Sequence, residues 1–114
     1  MDELTAFLRA RLDEDEAAAK AARPAYFTCE CLAVFSAAGD IAHVLRHDPA
    51  RVLRDVEAKR AILKRYEHAV SGELPEWTAG RELISAAIAI LFVAIRELTA
   101  VYSDHPDYRQ EWKP

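Results

Sequence analysis

The stretch DPARVLRDVEAKRAILKRYEHAVSG, residues 48–72, decides most of the fold. Asp48 can accept hydrogen bonds from the first turn of a helix, and Pro49 has the backbone angle that the first helical position needs. Gly72 can end the helix because glycine readily adopts the left-handed conformation. The apolar positions between these limits recur every three or four residues, at Val52, Val56, Leu63, Tyr66 and Val70. The stretch therefore predicts a long amphipathic helix over residues 49–70.

Two further helices are predicted on the N-terminal side of this one. The first covers residues 2–22 and ends before Pro24, because the residue that precedes a proline disfavours the helical conformation. Its apolar stripe consists of Leu4, Phe7, Leu8 and Leu12. A short helix over residues 41–47, capped by Asp40, is expected to lead into the helix of residues 49–70.

The last long helix is predicted over residues 76–102, and its middle, residues 83–95, is apolar on all faces. That run is shorter than the roughly 20 residues that a membrane span needs, so we expect a buried helix and no membrane contact. Such a helix lies at the centre of a bundle or uses its far side as a subunit interface, and we favour a homodimer. The candidate interface residues are Leu83, Ile84, Ile88, Leu91, Phe92 and Ile95.

The composition agrees with a small, mainly α-helical bundle. The 114 residues are 52% hydrophobic and 30% charged, which suits one globular domain over residues 1–114 and excludes a disordered chain. Only three glycines interrupt a sequence rich in helix-forming residues. The polar tail, residues 103–114, is expected to pack on the bundle, with Tyr108 and Trp112 on one face of a short helix.

The segment of residues 25–38 allows two interpretations. Strand-forming residues near residues 26–35 alternate along the chain and predict a short β segment, whereas a helix over residues 30–38 is the alternative. Cys29 and Cys31 are too few for a disulfide framework and too close together to bridge each other. The acidic start MDELTAFLRAR does not read as a signal peptide, so we expect a cytoplasmic protein.

Three blocks of the sequence resemble a family of small uncharacterised proteins of actinobacteria and their phages. The blocks are MDELTAFLRARLDEDE, HVLRHDPARVLRDVEAKRAIL and YSDHPDYRQEWKP. The family is a domain of unknown function, so the resemblance transfers no activity. It implies that the central block, residues 43–53, and the terminal block, residues 104–112, are characteristic positions of the chain.

Two arrangements of these residues predict a metal site. Cys29 and Cys31 followed by His43 and His47 offer the thiolate and imidazole ligands that zinc prefers, although Cys-x-Cys spacing is awkward for one ion. The second arrangement joins the two histidines to His105 or Asp104. The alternative is that the cysteines are buried as small apolar residues, and we expect no bound cofactor on that interpretation.

The same polar residues also predict a lock that holds the tail in place. In this interpretation the central block pairs with the terminal block through opposite charges. Its residues are His47, Asp48 and Arg51 on one side and Asp104, Asp107 and Arg109 on the other, with Tyr108 and Trp112 docked beside them. Such a lock explains the polar blocks without any reaction.

Basic side chains form one face of the helix over residues 49–70. They are Arg51, Arg54, Lys59, Arg60, Lys64 and Arg65. Nucleic-acid binding needs such a stripe, but acidic residues interleave with it and the chain has a net charge of −4. We therefore expect a solvated, ion-paired face, which the acidic block of residues 13–16 could meet.

The sequence contains no Gly-rich phosphate loop, serine nucleophile pattern or buried carboxylate pair. The leading hypothesis is a non-enzymatic interaction or regulatory module, homodimeric through the last helix and acting on an unidentified protein partner. The resemblance to phage and actinobacterial proteins implies a host-interaction or accessory role. A metal-binding protein that uses His43 and His47, and a nucleic-acid binder that uses the basic face, are the alternatives.

Overall fold

Three long helices pack together in the computed structural model, which describes residues 2–22, 43–72 and 80–114. Helix α1 covers Asp2–Ala21, α2 covers Pro49–Ser71 and α3 covers Arg81–Ala100. A helical turn over residues 43–46 precedes α2, and a 3-10 helix, η1, covers Gln110–Trp112. The described residues form helices and turns without a strand, so the predicted small, mainly α-helical bundle is confirmed.

The boundaries of α2 follow from local chemistry. The Asp48 carboxylate accepts a hydrogen bond of 2.6 Å from the Arg51 backbone N–H, and Pro49 occupies the first turn. At the other end Gly72 adopts a φ of 79°, and its N–H donates to the His68 carbonyl oxygen. The sequence signals for this helix are confirmed at both ends.

The core forms where the three long helices and η1 meet. Leu8, Leu12 and Ile95 have no exposed surface, and Trp112 of η1 covers one end of the cluster. The whole predicted stripe of α1 is buried, as are Val56, Leu63 and Tyr66 of α2. Val70 is 48% exposed, contrary to the prediction, because the stripe of α2 drifts in the last turn and Ala69 turns inward instead.

Helix α3 does not lie at the centre of the bundle. Ile95 and Thr99 are fully buried, but the opposite side carries large apolar residues in solvent. These are Leu83 (61% exposed), Ile90 (70%) and Val93 (54%), followed by Val101 (64%) directly after the helix. Of the two alternatives for this helix, the described residues do not fit a position at the centre of the bundle, because only one face of α3 contacts α1 and α2.

The residues of the candidate interface lie on different sides of α3. Ile95 belongs to the core, while Ile88, Leu91 and Phe92 are half-buried and pack against the core cluster. Successive residues in a helix turn by about 100°, so the residues between the core-facing positions point away from α2. The residues that face solvent are mostly ones that the prediction passed over.

The predicted β segment near residues 26–35, its helical alternative, Cys29 and Cys31 lie outside the described residues. So do the start of the short helix predicted over residues 41–47 and the start of the one predicted over residues 76–102. These predictions stay predictions.

Candidate functional site

A cleft of about 410 Å³ opens between the second half of α1 and the turn that leads into α2. Its floor is apolar and consists of Ala18, Ala19, Ala22, Val44, Pro49 and Val52. Four polar side chains line it as well, namely Asp15, His43, His47 and Asp48. The cleft therefore gathers residues of the leader and central blocks of the sequence.

His43 and His47 are neighbours in this cleft. Their ring centroids lie 4.5 Å apart with an angle of 43° between the planes, as expected for side chains separated by one helical turn. Both side chains are exposed. His105, the third histidine of the second predicted metal arrangement, instead contacts Phe7 and Arg11 of α1. Within residues 2–22, 43–72 and 80–114, no three histidine, cysteine or acidic side chains come close enough to hold a metal ion.

The tail docks on α1 through an aromatic cluster around Phe7. The ring of Phe7 lies 5.5 Å from His105, 6.1 Å from Tyr108 and 5.2 Å from Trp112, measured between centroids. Tyr108 and Trp112 also contact each other edge to face at 5.9 Å. These distances suit favourable aromatic pairs, so the predicted docking of Tyr108 and Trp112 has a defined partner in Phe7.

Polar contacts hold the tail on either side of this cluster. Arg109 donates to the Glu3 carboxylate at 2.5 Å. Arg96 of α3 donates from Nε to the Trp112 carbonyl oxygen at 3.2 Å and from Nη2 to the carbonyl oxygen of Lys113. The tail is thus fastened to α1 by side chains and to α3 through its backbone.

Within the described residues, which include both blocks, the charged residues of the terminal and central blocks pair elsewhere than with each other. The Asp48 carboxylate caps α2 by accepting from the Arg51 N–H, and the Arg51 guanidinium donates to the Arg46 carbonyl oxygen at 2.8 Å. The terminal block finds its partners on α1 instead, because α1 runs beside the point where the chain leaves α3. Four α1 residues spaced one turn apart contact this end of the chain. Glu3, Phe7 and Arg11 contact the tail, and Asp15 contacts Tyr102 just before it.

Arg11 is the most buried of these polar partners, with 9% of its surface exposed. Its Nη1 lies 2.9 Å from Nδ1 and 2.5 Å from Nε2 of His105, and its Nη2 donates to Glu14 at 2.7 Å. The guanidinium also lies over the Phe7 ring, 5.0 Å from its centroid. Arg11 therefore links the aromatic cluster to the polar part of the tail contact.

Asp15 connects the tail contact with the cleft. Its Oδ2 accepts a hydrogen bond of 2.5 Å from the Tyr102 hydroxyl, while the residue also lines the cleft beside the two histidines. Burial, together with the hydrogen bond to the Asp15 carboxylate, raises the pKa of Tyr102. Tyr102 therefore stays a hydrogen-bond donor to Asp15 throughout the physiological pH range.

The acidic block of α1 meets the basic face of α2. Arg60 contacts Asp13 at 2.6 Å and Glu16 at 2.7 Å. Hydrogen bonds from Arg60 and then Lys20 lower the pKa of Glu16 to about 2. Arg54, Lys64 and Arg65 remain exposed on this face. Because Arg60 is engaged with carboxylates, the face is less suited to phosphates than the sequence stripe indicates.

Sequence reasoning missed Glu3, Arg11, Asp15 and Arg96 as partners of the tail. The i, i+4 spacing of the first three with Phe7 is visible in the sequence, but such a stripe normally marks a solvated helix face. Arg96 gave no signal at all, because it binds backbone carbonyl oxygens. The sequence thus shows that these α1 residues share one helix face, but not which residues they contact.

By length and composition alone α3 could also cross a membrane, since its 20 residues include a stretch with a mean hydropathy of 2.0. Core helices of soluble proteins pass the same test, and α3 packs Ile95 and Thr99 fully into the bundle. The notable feature of α3 is that Leu83, Ile90 and Val93, on the side opposite these residues, are exposed.

The described residues thus define a small helical bundle that its own tail closes, with a cleft at one end and an apolar helix face on the outside. The chain belongs to DUF6221, a family of unknown function, which it matches over residues 1–114. The resemblance to an uncharacterised family is thereby confirmed. No curated protein and no solved structure is detectably similar to it. Because a fold alone assigns no activity, the function must be argued from the surface.

Proposed function

We propose that the protein is a non-enzymatic interaction module of the cytoplasm that acts as a homodimer through the exposed face of α3. One observation carries the proposal, namely that three large apolar side chains of this helix, Leu83, Ile90 and Val93, are more than half exposed. Contiguous apolar surface of this kind marks an interaction site more often than a free surface.

The spacing of these residues favours a second helix as the partner. Leu83, Ala86, Ile90 and Val93, here called the α3 seam, are separated by three, four and three residues, and all four are exposed. This alternation is the one by which two helices interlock their side chains.

A second copy of the chain is the partner that supplies a matching seam. Complete burial of a valine, leucine or isoleucine side chain stabilises a protein by about 1.5–3 kcal/mol. In a symmetric dimer, both subunits bury their own copy of each seam residue. This burial is the favourable term that opposes the loss of rotational and translational freedom on association.

Analytical ultracentrifugation over a range of protein concentrations tests this proposal. We expect a dimer that dissociates on dilution, and Ile90→Glu should give a monomer with unchanged helix content. Ala61→Glu is the matched control, because it adds the same charge to an exposed position of α2 and should leave the dimer intact. A wild-type monomer at every concentration, or a dimer that Ile90→Glu does not weaken, would contradict the proposal.

Metal binding by His43 and His47 is a second candidate, supported by the 4.5 Å separation of the two rings in one cleft. Two imidazoles one helical turn apart can chelate one transition-metal ion. Native mass spectrometry of protein purified without chelator should then show one ion per chain, lost in His47→Ala and kept in the control His68→Ala. An ion-free spectrum after incubation with zinc would exclude this candidate.

A further inference from the structure

We infer that the two copies of α3 pair antiparallel, in the register that sets Leu83 against Val93 of the partner subunit. The inference rests on the proposed homodimer and adds its geometry. It follows from the order of side-chain sizes and charges along the exposed face of α3.

The side-chain sizes along the α3 seam are complementary in this register. Leu83 faces the partner's Val93, and Ala86 faces the partner's Ile90, so that the smallest residue of each seam meets a large one. Each of these two pairs occurs twice, with the two chains exchanged, so the interface has four layers of facing seam residues. A single twofold axis relates them. A parallel pair would instead set Ala86 against the partner's Ala86 and leave a gap between the helices.

The charges beside the seam also favour the antiparallel register. Glu82 and Arg96 are fourteen residues apart, which is close to four helical turns, so both lie along the same edge of the seam. The antiparallel register places Glu82 next to Arg96 of the partner subunit, and the symmetry produces this pair twice. A parallel pair would bring no opposite charges together here.

Glu97 adds an argument against the parallel arrangement. It occupies the next seam position after Val93 and is exposed. In a parallel dimer it would face Glu97 of the partner subunit across the seam, and like charges at facing positions are unfavourable. In the antiparallel register Glu97 lies beyond the four layers, where its carboxylate remains in water.

Arg96 is held by the docked tail, and its guanidinium lies 5.8 Å from the centroid of the Phe92 ring. Two of its nitrogens donate to the carbonyl oxygens of Trp112 and Lys113. A guanidinium has five N–H donors, so Arg96 retains donors for a carboxylate from a second copy. The docked tail thus orients a residue of the proposed interface.

Disulfide trapping tests the register directly. The chain carrying Cys29→Ser and Cys31→Ser supplies a cysteine-free background, into which Leu83→Cys and Val93→Cys are introduced separately. Under mild oxidation we expect a cross-linked dimer when the two single-cysteine proteins are mixed, and little cross-linking in either protein alone. Cross-linking within Leu83→Cys alone and Val93→Cys alone would overturn the antiparallel register while leaving the homodimer standing.

Charge reversal gives an independent readout. Glu82→Arg should weaken the dimer roughly tenfold, because two attractive pairs become repulsive, and Glu82→Arg with Arg96→Glu should restore it. Glu57→Arg, on the exposed side of α2, is the control and should have no effect. Loss without restoration would overturn the pairing of Glu82 with the partner's Arg96. A monomer that floats with lipid vesicles would overturn both the register and the proposed homodimer.

Discussion

Nη1 of Arg11 lies 2.9 Å from Nδ1 of His105, so a buried guanidinium faces the imidazole of the tail. The Asp107 backbone N–H donates to the same Nδ1 at 3.1 Å. Position 105 therefore lies between two N–H donors, the Arg11 guanidinium and the Asp107 backbone.

His105→Lys should consequently release the tail, because it sets a fixed positive charge against Arg11. His105→Gln, which keeps an acceptor and is uncharged, should keep the tail docked. The indole N–H resonance of Trp112 in a proton–nitrogen NMR spectrum reports the difference, with Trp112→Phe to assign it. A docked tail in the lysine variant would contradict this prediction.

Trp112 should contribute strongly to stability, since it is 9% exposed and contacts both Phe7 and Tyr108. Trp112→Ala is expected to lower the free energy of unfolding by about 3–5 kcal/mol. Urea denaturation followed by circular dichroism measures this change. Lys113→Ala, the exposed neighbour, is the control, and an equal loss in both variants would argue against a specific role of the indole.

Ile90 and Ile95 should separate dimerisation from folding. Ile95→Ala creates a cavity in the core and should cost about 2–5 kcal/mol of stability, whereas Ile90→Ala should leave the stability of the monomer within about 0.5 kcal/mol. Thermal unfolding at a concentration below the dimerisation range distinguishes them. Ile88→Glu and Phe92→Glu are poorer probes of an interface, because both residues also pack against the core.

Acid should weaken the contact between α1 and α2 in a defined pH window. The folded pKa of Glu16, about 2, lies below its ordinary value of 4.5, so the carboxylate stabilises the fold above pH 4.5. This contribution is lost as the pH falls from 4.5 towards 2. Glu16→Gln should therefore show a smaller drop in Tm across this window than the wild type, while Glu57→Gln should follow the wild type.

The sequence predicted those parts of the fold that local chemistry determines. Asp48, Pro49 and Gly72 set the limits of α2 because a cap requires only residues that are adjacent in the chain. The apolar stripe of α1 was equally clear. The orientation of α3 could not be predicted, because a helix that is apolar on every side carries no signal for which side faces the core.

For the contact between the tail and α1, the sequence identified residues of the tail but not the residues with which they pair. Tyr108, Arg109 and Trp112 were predicted to fasten the tail, yet the charged partner of Arg109 was sought in the central block. His105 was predicted only as a metal ligand. A charged residue near residue 109 can pair with any opposite charge that the fold brings close. Only the packing of α1 beside the end of α3 selects Glu3 over Asp48.

The contact between Glu3 and Arg109 joins residues that are 106 positions apart. Closing so long a loop costs chain entropy before the contact returns any free energy, so the tail contacts should form last during folding, after α1 and α2 have met. The same contacts should open first in the native state, as a cooperative unit smaller than the whole protein. Each opening would uncover the ring of Phe7, and the bundle would briefly display an aromatic surface that its resting state keeps covered.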